Sequence, residues 1–224
     1  GITTAFTDQP ETRRYDPTTK RLTLSNRTAG PTQRFQLLLQ VALLTQNELL
    51  EATLDLARFA TPEARDIAKI GLANYFAGAA LLPYRIFQDA ALEVRHDLER
   101  LADIFGASIE QVAHRLSTLQ RPGAKGIPFF FVRVDQAGTI TKRHSATRLQ
   151  FARFGGACPL WNVHRAFDRP GSITREVVVL EDGSRWFTLA RTVHPQGARA
   201  GGVAAEFAVG LGLDAGLAAP LAAA

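Results

Sequence analysis

At Arg121-Pro122-Gly123-Ala124-Lys125-Gly126 the chain changes its hydrophobic period, from the three-and-four spacing of amphipathic helices to the alternation of strands. That change predicts an α+β protein in two parts, residues 13–121 mostly helical with a small sheet and residues 122–224 an α/β domain built on hairpins. With 224 residues, 46% hydrophobic and 21% charged, the chain can bury a core of its own.

Upstream of the switch, residues 1–12 read as polar and loose, and Arg14 to Leu24 as two short strands around the turn at Pro17. Thr32 is the expected cap of a helix running to about Phe59. Thr61-Pro62-Glu63 opens a second, because Thr caps, Pro suits the first helical position and Glu suits the dipole. A third runs from near Tyr84 to Ile104 and is closed by Gly106, with His96 and His114 expected on helix surfaces. Ser108 and Gln111 form a capping box for the next helix, so LADIFGASIEQVAHRL reads as a helix pair, either a packed hairpin or a DNA-reading helix-turn-helix. Downstream, Ile127–Val134 and Thr139–Lys142 flank one turn and Arg175–Leu180 and Arg185–Thr192 another, before an Ala-rich last element.

Composition narrows the function. A single cysteine, Cys158, excludes an internal disulfide and fits a reducing, cytoplasmic setting, as does the absence of a signal-peptide pattern. No apolar run reaches the roughly 18 residues of a membrane span. Net charge of +5 and a pI near 9.9 favour an anionic partner.

Thr32 to Leu44, TQRFQLLLQVALL, resembles the metal-binding helix of an ImmA/IrrE-type zinc peptidase with its chemistry removed. Such a helix needs His-Glu-x-x-His, two imidazoles on one face and a carboxylate base. Leu39, Gln40, Val41, Ala42 and Leu43 stand in those places. The helix Ile70 to Tyr84 resembles the segment carrying the third, acidic ligand, where Ile70, Gly71 and Leu72 stand. No zinc and no peptidase activity are expected.

Lys142-Arg143-His144-Ser145-Ala146, Gly155-Gly156-Ala157-Cys158-Pro159-Leu160-Trp161 and Ala166-Phe167 before Pro170-Gly171 resemble the C-terminal module of the short-chain acyl-CoA-sensing transcriptional regulators of the PrpR type. The resemblance spans residues 14–215 and implies a coenzyme A thioester as effector, such as propionyl-CoA. It also implies a homodimer and a helix-turn-helix domain, not among these residues, that binds DNA. Leu213 stands where a tail cysteine is implied, so an iron–sulfur cluster is not expected. A coenzyme A site wants cations for phosphates, a ring for the base and an apolar slot. Lys142, Arg143, Arg148 and Arg153 with Phe151, Phe154 and Trp161 supply these within twenty residues, as against a solvated strand end beside a core cluster. Arg34 and Arg143 are the expected phosphate ligands, and Tyr84 the residue placing the pantetheine or base. The alternatives are a metal- or Cys158-dependent hydrolase and a direct nucleic-acid binder.

Overall fold

The computed structural model describes residues 1–149, 161–194 and 206–221. The chain is α+β and divides into two compact units, Gly1–Pro83 and Tyr84–Pro195 with Gly202–Ala224. The units part upstream of the Arg121–Gly126 stretch, because Ile109–Ser117, a helix beyond Pro83, packs on the second sheet and Leu98–Phe105 packs on that helix.

In the first unit, β1 (Thr3–Thr7), β2 (Arg13–Asp16) and β3 (Arg21–Ser25) form a sheet with β3 central. The expected pair β2–β3 is antiparallel, and β1 adds in parallel along the other edge of β3. The loose N-terminus of the sequence reading is thus a strand: Thr-Thr-Ala-Phe-Thr is rich in the types that suit a pleated surface, and β3 offers it an open edge. Helix α1 (Gly30–Thr45) starts after Ala29, with Pro31 in its first turn, so Thr32 lies inside the helix rather than at its cap. It stops at Gln46, where φ and ψ leave the helical region, and α2 (Asn47–Asp55) follows instead of one helix to Phe59. Helix α3 (Pro62–Leu81) starts as its sequence predicts, with the Thr61 hydroxyl accepting from the Ala64 N–H at 3.2 Å.

The second unit opens with α4 (Tyr84–Glu93), α5 (Leu98–Phe105) and α6 (Ile109–Ser117). Arg95 and His96 take positive φ angles of 53° and 62°, which break the predicted continuous helix between α4 and α5. Gly106, at φ 55°, closes α5, and the Ser108–Gln111 capping box is formed in both directions. The five-stranded sheet follows: β4 (Phe130–Asp135), β5 (Ile140–Ser145), β6 (Thr174–Val179), β7 (Arg185–Val193) and β8 (Phe207–Asp214), in the order β5-β4-β8-β7-β6, all antiparallel. The short helix α7 (Trp161–Arg165) packs against β6, β7 and β8.

Strand β8 is the departure from the sequence reading, which saw only an Ala-rich element there. It occupies the centre, where strands on either side and packed faces above and below leave little room. A Cβ on Gly210 would lie 2.6 Å from Val163, and one on Gly212 2.3 Å from the Phe130 ring. Glycines that weaken a strand's propensity are what permit this one.

Helix α6 lies on one face of the sheet and buries Val112, Ala113, Arg115, Leu116 and Ser117. The α5–α6 pair is therefore a packed hairpin in this unit, with the second helix covered rather than presented to a DNA groove. Among the described residues, no helix is long and apolar enough to cross a membrane.

Candidate functional site

The metal-helix resemblance can be tested on the first unit's packing. Leu39 and Ala42 of α1 are buried in one apolar cluster with Ala73 and Ala77 of α3, and Leu43 and Leu72 pack against it. Three of the side chains standing at expected ligand positions, Leu39, Leu43 and Leu72, thus share a hydrophobic cluster, and Gln40 replaces the catalytic carboxylate. Ile70 is 42% exposed and turned away from it. Apolar side chains stand at those three positions. Arg34, also on α1, is exposed.

In the second unit a cleft of about 730 Å³ lies at the end of the sheet where β5 and β8 finish and β7 begins. Its volume falls in the range of small-molecule sites. Arg148, Leu149, Leu180, Trp186, Pro128 and Leu217 line it. Trp186 is only 7% exposed: its Nε1–H donates to the Ser184 hydroxyl at 3.0 Å, and its ring meets Phe130 with centroids 6.1 Å apart. It is a fixed wall. Asp182 and Asp214 also face the cleft, but each accepts from its own turn, Asp182 from the Ser184 N–H and Asp214 from the Gly216 N–H. Hydrogen bonds from Ser184 hold the Asp182 carboxyl below its ordinary range. A polyanion therefore suits Arg148 and not the two carboxylates.

The predicted cations separate by strand geometry. Side chains alternate across β5, so Lys142 and His144 point to the α6 face and Arg143 to the other. The Lys142 ammonium is 3.4 Å from Glu110, which also binds the Arg133 guanidinium at 3.1 and 3.2 Å. His144 Nδ1 is 3.1 Å from the Ser117 hydroxyl. Arg143 is exposed beside Val132, on the face that carries the core cluster of Phe130, Val132 and Trp186. Arg143 and Arg148 are thus the pair of this run free of the α6 face, and Lys142 is held on it.

Tyr84 has a structural task. Its hydroxyl accepts from the Arg121 N–H at 2.8 Å and donates to the Ala124 carbonyl at 2.8 Å, which Gln88 also reaches. The Arg121 guanidinium lies 4.4 Å from the ring centroid. The Pro-Gly stretch that reads as a linker is pinned to α4 by this residue. Phe151, Arg153, Phe154 and Cys158 lie outside the described residues, as does the side chain of Trp161. Trp186, Leu149, Pro128 and Leu217 were not candidates from the sequence, since only the return of β7 and β8 brings them together.

His96 and His114 are buried or half-buried, not on helix surfaces as expected. His114 meets the Phe131 ring edge-on at 5.3 Å. Burial, with repulsion from Lys142, His144 and Arg115, pushes its imidazole down to about 3. Folded His114 therefore stays neutral while the unfolded chain protonates it below about pH 6.5. Its contribution is fully present above that pH and is lost as pH falls from 6.5 towards 3, at up to about 1.4 kcal/mol per unit. Chemical denaturation should show stability falling between pH 6.5 and 5, and His114→Gln should flatten the slope. An unchanged slope in the variant would refute this assignment.

The fold is thus α+β, with an apolar cluster where the resemblance implies metal ligands and a cleft beside a basic strand end. Residues 2–117 match the IrrE N-terminal-like domain, and residues 118–224 match the C-terminal domain of the short-chain fatty acyl coenzyme A regulators. The chain belongs to this family of regulators, joining those two domains. It is 69% identical over 214 residues to a propionyl-CoA carboxylase regulator of Cereibacter sphaeroides, covering 96% of this chain and 46% of that protein. It is 48% identical over 217 residues to the HTH-type transcriptional regulator PrpR of Mycobacterium tuberculosis, covering 96% and 45%. A solved Mycobacterium tuberculosis transcriptional regulator superposes with a TM-score of 0.92 at 46% identity, covering 99% of this chain and 68% of that one. The chain thus spans less than half the length of the curated regulators it resembles.

Proposed function

We propose that this chain is the effector-sensing part of a transcriptional regulator of short-chain fatty acid metabolism, and that its effector is a short-chain acyl-CoA such as propionyl-CoA. The observation that carries the reading is the cleft at the sheet end, where Arg148, an indole wall and apolar side chains surround a space of ligand size. In this reading Arg143 and Arg148 meet the phosphates, joined by Arg153, while Phe151, Phe154 and Trp161 supply rings for the base. Tyr84 acts by holding the 121–126 stretch in place. The relatives named HTH-type regulators support DNA binding through a helix-turn-helix domain elsewhere in the whole protein, which would bind as a homodimer, as palindromic operators require.

The first unit serves as a degenerate, zincin-like frame without catalysis, because Leu39, Leu43 and Leu72 offer a metal no donor atom. Sensing and catalysis separate in native mass spectrometry of the chain mixed with zinc and propionyl-CoA. The expected spectrum has one coenzyme A adduct per chain and no zinc adduct. Stoichiometric zinc would overturn the non-catalytic reading.

A further inference from the structure

A second pocket of about 460 Å³ adjoins the cleft in the same unit, and Pro128 and Leu217 line both. Its walls are apolar, with Ala91 and Leu92 of α4, Leu119 and Ile127 prominent, and Lys125 stands among the lining residues. His96 lines it as well. That side chain is 7% exposed, and its Nδ1 is buried without a hydrogen-bond partner among the described residues. An unsatisfied buried nitrogen is unusual and calls for an explanation.

The backbone adds a second, independent observation. Arg95 and His96 both take left-handed φ angles, which non-glycine residues rarely adopt and which persist where surrounding structure holds them. Arg95 is held by its guanidinium, which donates to the Leu221 carbonyl at 2.7 Å and so ties down the segment carrying Gly216, Leu217 and Pro220 of the pocket wall. The conformation that puts His96 at this pocket is thus maintained from outside it.

Resting on the coenzyme A reading above, we propose that this pocket receives the acyl end of the thioester, with His96 donating a hydrogen bond to the thioester carbonyl and the chain lying against Ala91, Leu92 and Ile127. The thioester fits both demands of the pocket. It carries one acceptor for one orphaned nitrogen, and an apolar tail for apolar walls. Burial keeps the imidazole neutral, so it offers a single N–H to an uncharged carbonyl and not an ion pair to a carboxylate. The Pro128–Leu217 partition is where the pantetheine arm would pass from one chamber to the other.

Affinities of coenzyme A, its acetyl, propionyl, butyryl and hexanoyl thioesters and the thioether S-propyl-coenzyme A, measured by calorimetry, test this. Each added methylene should tighten binding about fourfold until the pocket is filled. Propionyl-CoA should bind about two- to tenfold more tightly than the thioether that lacks its carbonyl. Leu92→Trp, at a largely exposed rim position that tolerates a larger side chain, should lower the ratio of hexanoyl-CoA to coenzyme A affinity by tenfold or more. Coenzyme A binding with a flat chain-length series, or with thioether equal to thioester, would overturn this inference alone. No binding of coenzyme A in any form would overturn the function proposed above and this site with it.

Discussion

Gly212→Val should cost about 3 kcal/mol or more and lower the melting temperature by roughly 6 to 12 °C. Gly212 lies in the central strand, and its Cβ would sit 2.3 and 2.5 Å from Phe130 ring carbons and 3.0 Å from the Phe187 carbonyl oxygen. Phe130 is 1% exposed and packed against Trp186, so it cannot swing aside, and the carbonyl is part of the neighbouring strand. The clash is steric and not conformational, since the glycine adopts no left-handed angle. Gly71→Ala is the contrasting change. That position lies inside α3 with nothing within 4 Å of the added carbon, so alanine should stabilise by about 0.5–1 kcal/mol. Paired thermal melts decide it: similar effects of the two substitutions would contradict the placement of β8 at the centre of the sheet.

Arg148→Glu should weaken propionyl-CoA binding by at least about tenfold. A charge-assisted hydrogen bond contributes about 1.5–3 kcal/mol, and the reversed charge would repel the phosphate. Arg148 is exposed and in no helix or strand, so the variant should fold, and its melting temperature should stay near that of the parent. Lys142→Glu is expected to do less to binding. Its ammonium points to the α6 face and is partnered by Glu110, and the damage should appear instead as lost stability.

Local features were legible in the sequence where chemistry is local. The Thr61 cap and the Ser108–Gln111 box are short-range hydrogen bonds that residue types dictate, and both are formed. The change of period at 121–126 marked where helices give way to strands. What the sequence hid is decided by tertiary contact. Nothing in Thr45-Gln46-Asn47 breaks a helix by propensity, yet α1 and α2 separate there, and the α4–α5 break rests on two non-glycine residues held in left-handed conformations. Strand β8 looked like a tail of small residues because the bulk that surrounds it comes from β4, β7 and α7.

The candidate site divides in the same way. The run from Lys142 to Arg148 is basic in any conformation, but only the pleat of β5 assigns Lys142 to one face and Arg143 to the other. Tyr84 was expected to place the ligand, and only the fold brings its hydroxyl to the backbone of Arg121 and Ala124. Leu39, Leu43 and Leu72 could be read as missing ligands from a motif, and the packing adds that they share one apolar cluster.

Calorimetric titration of the chain with propionyl-CoA, coenzyme A and free propionate tests whether it recognises a coenzyme A thioester chiefly through its coenzyme. Saturable binding of propionyl-CoA and of coenzyme A is expected, tighter for the thioester, with no heat from propionate. Propionate binding as tightly as its thioester, or silence from both coenzyme A species, would contradict it.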